Sequence, residues 1–264
     1  MKKTLIALAV AASAVVSGSA MAAGWEQNGT GGSVNMGGSL TPVENVTPWE
    51  VKTGAAVTGL DAQIQKGQKV VDVAVNKAIP VLGIRVVDSA GFEGAAGITP
   101  QIDYQGAVDI DGFEDGVTNV YMEVRNTQGE KIGSLLAPFY AGAERSYYAI
   151  DGSAKGHRGL HANEAGMAFY GGIDKNSAHN MTEGAVRSRI SAIDSEFTAK
   201  YNTYDSTFSS ASMATDFNRP GYIFNAFYGS GIEQGKTIKI TLDQPAGADA
   251  IKWKASLPVT VSYQ

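Results

Sequence analysis

The sequence predicts an all-β protein, an antiparallel sandwich with one helical insertion. Short apolar stretches recur along the chain at period two, bounded by Gly, Asn and Asp. Glycine accounts for 32 of 264 residues while proline stays at 8, a composition of turns and close backbone contacts rather than disorder. One helical pattern interrupts the strands, from Glu183 to about Lys200. Strands this short at this spacing favour an antiparallel sandwich over a parallel α/β sheet.

In chain order, the first segment reads as a leader. Lys2 and Lys3, the apolar run from Leu5 to Val16 and Ala20-Met21-Ala22 have the layout of a secretory signal, so cleavage is expected after Ala22. Residues 23–41 are expected to form an N-terminal extension. Gly24 to Gly32 is polar and glycine-rich, which lets the following stretch stand clear of its own domain. Ser33 to Thr41 alternates without exception, with Val34, Met36, Gly38 and Leu40 on one face. It has the form of a half-buried strand, whether paired within its own chain or with another.

Residues 42–264 are then the folded domain. Strands are expected at Trp49 to Lys52, Lys69 to Val75 and Ile79 to Val87, the last buried on both faces with Pro80 confined to its start or an edge. Gln101 to Ala107, Val117 to Arg125 and Lys131 to Tyr140 follow, the last two joined by an Asn126-Thr127-Gln128-Gly129 hairpin turn. From about 142 to 221 the pattern changes to an insertion. Gly142 to Glu164 is polar and aromatic and reads as loop, Met167 to Ile173 as a short strand, and Glu183 to Lys200 as a helix capped by Thr182. Val186, Ile190, Ile193 and Phe197 would place one helix face on the sheet. Strands resume at Tyr222 to Phe227, Thr237 to Leu242, Ile251 to Lys254 and Leu257 to Tyr263.

The two ends are complementary. Leu257, Val259, Val261 and Tyr263 form one apolar face of the last expected strand, whose edge no later strand covers. An open edge beside a core groove is an aggregation hazard unless something fills it. The Val34, Met36, Gly38, Leu40 face of a second copy suits that role, a strand addition of the donor-strand type. Such a contact runs head to tail without closing, so repetition yields a fibre.

Several stretches carry a family likeness: the leader Met1 to Ala9, Gly37-Gly38-Ser39-Leu40, Ile98-Thr99-Pro100-Gln101-Ile102, Phe169-Tyr170-Gly171-Gly172, and the ending from Trp253 to the penultimate Tyr263. In these the chain resembles the major-subunit adhesins of the chaperone-usher fimbriae of enterotoxigenic enterobacteria, the K88 (F4) type. The resemblance implies an incomplete immunoglobulin-like sandwich lacking its last strand, completed by donor-strand complementation. It also implies a periplasmic chaperone that holds the C-terminal strand, an outer-membrane usher, other copies of the subunit as fibre partners, and a place on the cell surface. In that family the shaft subunit binds host glycoconjugates through the inserted region. The resemblance is weakest from Gly142 to Phe217, so it transfers no contact residues there. From residue chemistry alone, Tyr147, Tyr148, His157, Arg158, His161, Asn163 and Glu164 are the candidate glycan-binding set, because aromatic faces cover a sugar's C–H side while forked polar groups fix hydroxyls.

Composition narrows the alternatives. The formal charge is −5, and −7 once Lys2 and Lys3 leave with the leader, a poor footprint for nucleic acid. Cysteine is absent, which removes thiol catalysis, thiolate zinc sites and disulfides. His157 and His161 are four residues apart but flank glycines and lack an HExxH motif. Asp109 to Asp115 resembles a calcium loop without its twelfth-position glutamate and reads better as a solvated acidic turn. No enzyme activity, cofactor or metal is expected. A minor or capsule-like subunit without a glycan site is the principal alternative, and a secreted β-sandwich enzyme a remote one.

Overall fold

The computed structural model describes residues 27–28, 30, 36–40, 46–178 and 180–264; the expected leader, Val34 and His179 lie outside them. The chain divides into two compact units, Met1–Asn45 and Val46–Gln264. The second contains eleven strands: β1 Trp49–Thr53, β2 Val70–Ala74, β3 Ile79–Val86, β4 Phe92–Glu93, β5 Pro100–Asp103, β6 Val117–Arg125, β7 Lys131–Ala149, β8 Lys155–Gly159, β9 Tyr222–Ile232, β10 Thr237–Leu242 and β11 Thr260–Tyr263. It has one α-helix, α1 Ala185–Ile193, followed by a 3-10 turn at Ser195–Thr198. The strands pair antiparallel throughout, giving an all-β sandwich with a small helical insert.

The organising element is β7, at 19 residues the longest strand. Its first half lies between β6 and β10, and its second half between β8 and β9, with the changeover near Tyr140. β10 carries β2 outward on one side, while β9 carries β3 and then β1 on the other. A separate two-stranded sheet, β5 with β11, packs on the same core. That core holds Leu82, Ile84, Val120, Val124, Leu135, Phe139, Tyr228, Ile238 and Ile240, all nearly inaccessible. Its aromatic end joins Trp49, Phe92, Phe169, Phe217 and Phe224 through edge and tilted contacts of 4.9–6.3 Å.

The helical insertion sits on a trough of glycines. Gly83 on β3 opposes Gly229 on β9, and Gly229 in turn opposes Gly142 on β7, so three adjacent strands lack side chains along one line. A Cβ at Gly83 would meet the Phe197 ring at 2.1 Å, at Gly229 the Ile190 Cγ2 at 2.3 Å, and at Gly142 the Val186 Cγ1 at 2.7 Å. The helical stripe read from the sequence therefore docks directly on backbone. With Tyr140 and Phe227 these residues form a second, smaller core.

The structure departs from several of these expectations. The stretch from Gly142 is not a loop: it continues β7 to Ala149, with Glu144, Arg145 and Ser146 buried, because β8 and β9 take up its backbone on both sides. Met167 to Ile173 forms turns rather than a strand, since Phe169 adopts φ 63° and Gly171 φ 81° to lower the Phe169 ring into the core. The helix is interrupted at Asp194, which is extended and accepts from the Glu196 N–H while pairing with Lys52 at 2.8 Å. It is preceded by left-handed Gly184 rather than capped by Thr182, whose carbonyl accepts the Ala185 N–H. Ile251 to Lys254 forms no strand and pairs only through a single bridge between Lys254 and Arg125, and the last strand is confined to Thr260–Tyr263.

Candidate functional site

The first candidate is the edge formed by β11. Val261 pairs with Ile102 and Tyr263 with Pro100, so one side of β11 is satisfied by β5. β5 is used on its other side as well, since its Pro100 carbonyl accepts the Phe169 N–H and its Ile102 N–H donates to the Tyr170 carbonyl, both at 2.8 Å. Among the described residues β11 has no second ladder partner. Alternation along this segment is complete: Leu257, Val259, Val261 and Tyr263 are half-buried against the core while Pro258, Thr260 and Ser262 are exposed. An apolar face that touches a core yet stays half accessible has room for a further apolar layer.

Met36 is 92% and Leu40 100% exposed, and neither belongs to a strand. A Cβ built on Gly38 would have no atom within 4 Å. Val34 lies outside the described residues.

The second candidate is the region around β7 and β8, and strand alternation divides the seven residues proposed from sequence. Arg145 opposes Arg158 and Tyr147 opposes Gly156, so these side chains share one face. Ser146 opposes His157 and Tyr148 opposes Lys155, so these share the other. On that second face His157 is only 2% exposed; its Nδ1 lies 2.9 Å from Ser206 Oγ and its Nε2 3.2 Å from Glu183 Oε1. Tyr148 meets Tyr204 edge-on at 4.8 Å. His161, Asn163 and Glu164 lie beyond the end of β8, with His161 Nδ1 2.9 Å from Ser212 Oγ and the other two exposed. The structure thus brings Tyr147 and Arg158 together, and separately Tyr148 and His157.

On the first face the neighbours are residues that sequence reading did not include. Arg145 places its guanidinium 4.7 Å from the Tyr147 ring centroid and 5.6 Å from that of Phe224. Burial, reinforced by the nearby positive charges of Arg158 and Arg219, brings its pKa down to about 10. Tyr147 and Tyr222 lie 6.0 Å apart, and Arg219 sits 3.8 Å over the Tyr222 ring. The β7–β9 register sets Tyr222 beside this group, and the turn before β9, in which the Tyr222 N–H donates to the Arg219 carbonyl, carries Arg219 with it; no spacing in the sequence signals it.

A further buried carboxyl lies under α1. Glu144 is 2% exposed; its Oε1 accepts the Arg187 N–H at 3.1 Å, and its Oε2 has no partner. Burial raises its pKa above the ordinary carboxylate range.

Comparison with known proteins decides what this scaffold is. A family model described as "Fimbrial, major and minor subunit", the K88 fimbrial family, matches residues 1–264. The chain belongs to the K88 fimbrial family. It is 29% identical to K88 fimbrial protein AD and 28% identical to K88 fimbrial protein AC, both of Escherichia coli, and 30% identical to the F41 fimbrial protein of the same organism. Each alignment covers the whole of both chains. A K88-family chain is a structural fimbrial subunit, one that assembles with other subunits into a fibre. In this K88-family member β11 has, among the described residues, one side without a ladder partner, and Met36 and Leu40 are exposed. No helix among the described residues is long and apolar enough to cross a membrane.

Proposed function

We propose that this subunit polymerises by donor-strand exchange and that the resulting fimbria, displayed on the cell surface, adheres to host glycoconjugates. Val34, Met36, Gly38 and Leu40 of one copy enter the groove beside Leu257, Val259, Val261 and Tyr263 of the next. The observation that carries this is the pairing of opposites: a core-facing strand that is half-buried with one edge unpaired among the described residues, and an alternating segment whose Met36 and Leu40 are exposed. Burying Val34, Met36 and Leu40 contributes about 1.5–3 kcal/mol each, before ladder hydrogen bonds and the cost of ordering the segment. The same exposed apolar strand edge calls for a periplasmic chaperone before assembly and an usher that exchanges it for the incoming segment. The 142–221 insertion supplies the receptor-binding part, supported by the half-exposed aromatic and basic side chains gathered there.

The test is deletion of residues 23–41 from the mature chain, alone and with those residues restored after Gln264 through a short linker. The truncated chain should aggregate or melt early, and the relocated segment should give a monomer with a much higher midpoint. A truncated chain that is already a stable monomer, unaffected by the graft, overturns donor-strand assembly. Adhesion is tested separately, by binding of purified fimbriae to host epithelial cells.

A further inference from the structure

Three arginines converge on one strip of aromatic rings, and among the described residues none has an acidic partner. Arg145 and Arg158 oppose one another across β7 and β8, Arg145 covers Tyr147, Tyr147 neighbours Tyr222, and Arg219 covers Tyr222. Among the described residues none of the three is in an ion pair, although the chain as a whole carries a net charge of −5. Glu93, on the neighbouring β4, directs its Oε1 to the Gly221 N–H at 2.9 Å.

Arg145 is the telling member. It is 7% exposed, its Nε finds no acceptor, and its Nη2 meets only the Met213 sulfur, a weak acceptor. The Arg158 Nε is likewise buried without a partner. A guanidinium withdrawn from water is costly unless an anion and its hydrogen bonds compensate, and here the protein supplies neither. The strip is open on one side: Tyr147, Arg158 and Tyr222 are half-exposed and Arg219 is exposed. The Arg145 and Arg219 guanidinium groups lie over the Tyr147 and Tyr222 rings, and a guanidinium is a planar donor suited to a bidentate oxyanion.

We propose that this strip binds an anionic sugar, its carboxylate or sulfate ester held by Arg145, Arg158 and Arg219 and its pyranose ring laid on Tyr147 and Tyr222. That the anion is carried on a glycan rests on the adhesive reading above; the anion site itself rests on the unpartnered guanidinium groups. A neutral sugar would leave the buried donors unanswered, so discrimination between acidic and neutral forms of one backbone is the signature.

Saturation-transfer NMR on intact purified fimbriae tests this, with lactose, 3′-sialyllactose and 3′-sulfolactose as probes and Arg219→Glu and Arg158→Gln fimbriae as variants. Transfer to the sialic acid ring or the sulfated galactose, weakening as salt rises, is expected from the native fimbriae. Each variant should lower affinity for the acidic probe roughly 10-fold or more. Which acidic probe responds separates carboxylate from sulfate recognition. Arg219 is exposed, so Arg219→Glu leaves the fold intact, and unchanged thermal unfolding of the fimbriae checks this. Equal transfer to lactose and the acidic probes, acidic binding untouched by both variants, or no transfer to any probe each overturns the anion site. Retained binding of the same fimbriae to epithelial cells in those cases leaves adhesion standing through another face.

Discussion

Gly83→Ala measures how the insertion is held to the sandwich. A Cβ at position 83 would lie 2.1, 2.4 and 2.6 Å from Cδ1, Cε1 and Cγ of Phe197, against about 3.5–4.0 Å for ordinary carbon contacts. The ring must therefore withdraw by more than an ångström. It is 2% exposed in a small core with Ile190, Ile193, Tyr140 and Phe227, so it has no empty space to enter. Overpacking of this kind costs about 1–3 kcal/mol, and replacing a strand glycine returns about 0.5–1 kcal/mol. The net loss is then about 1–2 kcal/mol, equivalent to a fall in midpoint of about 3–6 °C for a chain of this size. Circular-dichroism melting of the monomer carrying the relocated N-terminal segment reads this directly. Phe197→Leu in the same background should recover part of the loss, because residues in contact couple. An unchanged or raised midpoint for Gly83→Ala would refute direct docking of the insertion on the glycine trough.

Three further outcomes follow from named contacts. Glu144→Gln keeps the acceptor for the Arg187 N–H and removes a buried charge. Because the folded carboxyl has a raised pKa, its protonated form favours folding at low pH and that contribution is lost as pH rises through the folded value. The variant should therefore gain about 1 kcal/mol at neutral pH, and its advantage should vanish in melts below about pH 4. Tyr228→Phe removes a hydroxyl 2.8 Å from that of Tyr104 and 3.2 Å from the Gly172 carbonyl, all buried; a loss of about 1–2 kcal/mol in denaturant titration is expected. Leu40→Asp, at a fully exposed position, should leave the melting of the subunit domain unchanged while sharply reducing fimbriae recovered by shearing; normal yields would argue against a buried role for Leu40 in the fibre.

Val117–Arg125 and Thr237–Leu242 are found where period-two alternation places them, because each has one core face and one outward face. The helix face was legible for the same reason, as Ile190, Ile193 and Phe197 repeat at helical spacing and are all buried. The second half of β7 was not. Glu144, Arg145 and Ser146 interrupt its apolar pattern, and their burial depends on groups far away in the chain, such as the Asn202 carbonyl that accepts from Ser146 Oγ. β9 beyond Phe227 was hidden by Gly229 and Gly231, whose missing side chains make sense only once α1 lies across them.

The sequence by itself determined the class of the fold and which face of its alternating strands turns inward, since each depends on residues two to four apart. Only the tertiary structure decided which polar residues of the insertion share a surface. Alternation sends Tyr147 and Tyr148 to opposite faces, the long β7–β9 ladder brings Tyr222 to the face of Arg145, and the turn before β9 brings Arg219 with it. Whether an arginine is solvated, paired or buried without an anion depends on what long-range pairing places beside it, and no local pattern encodes that.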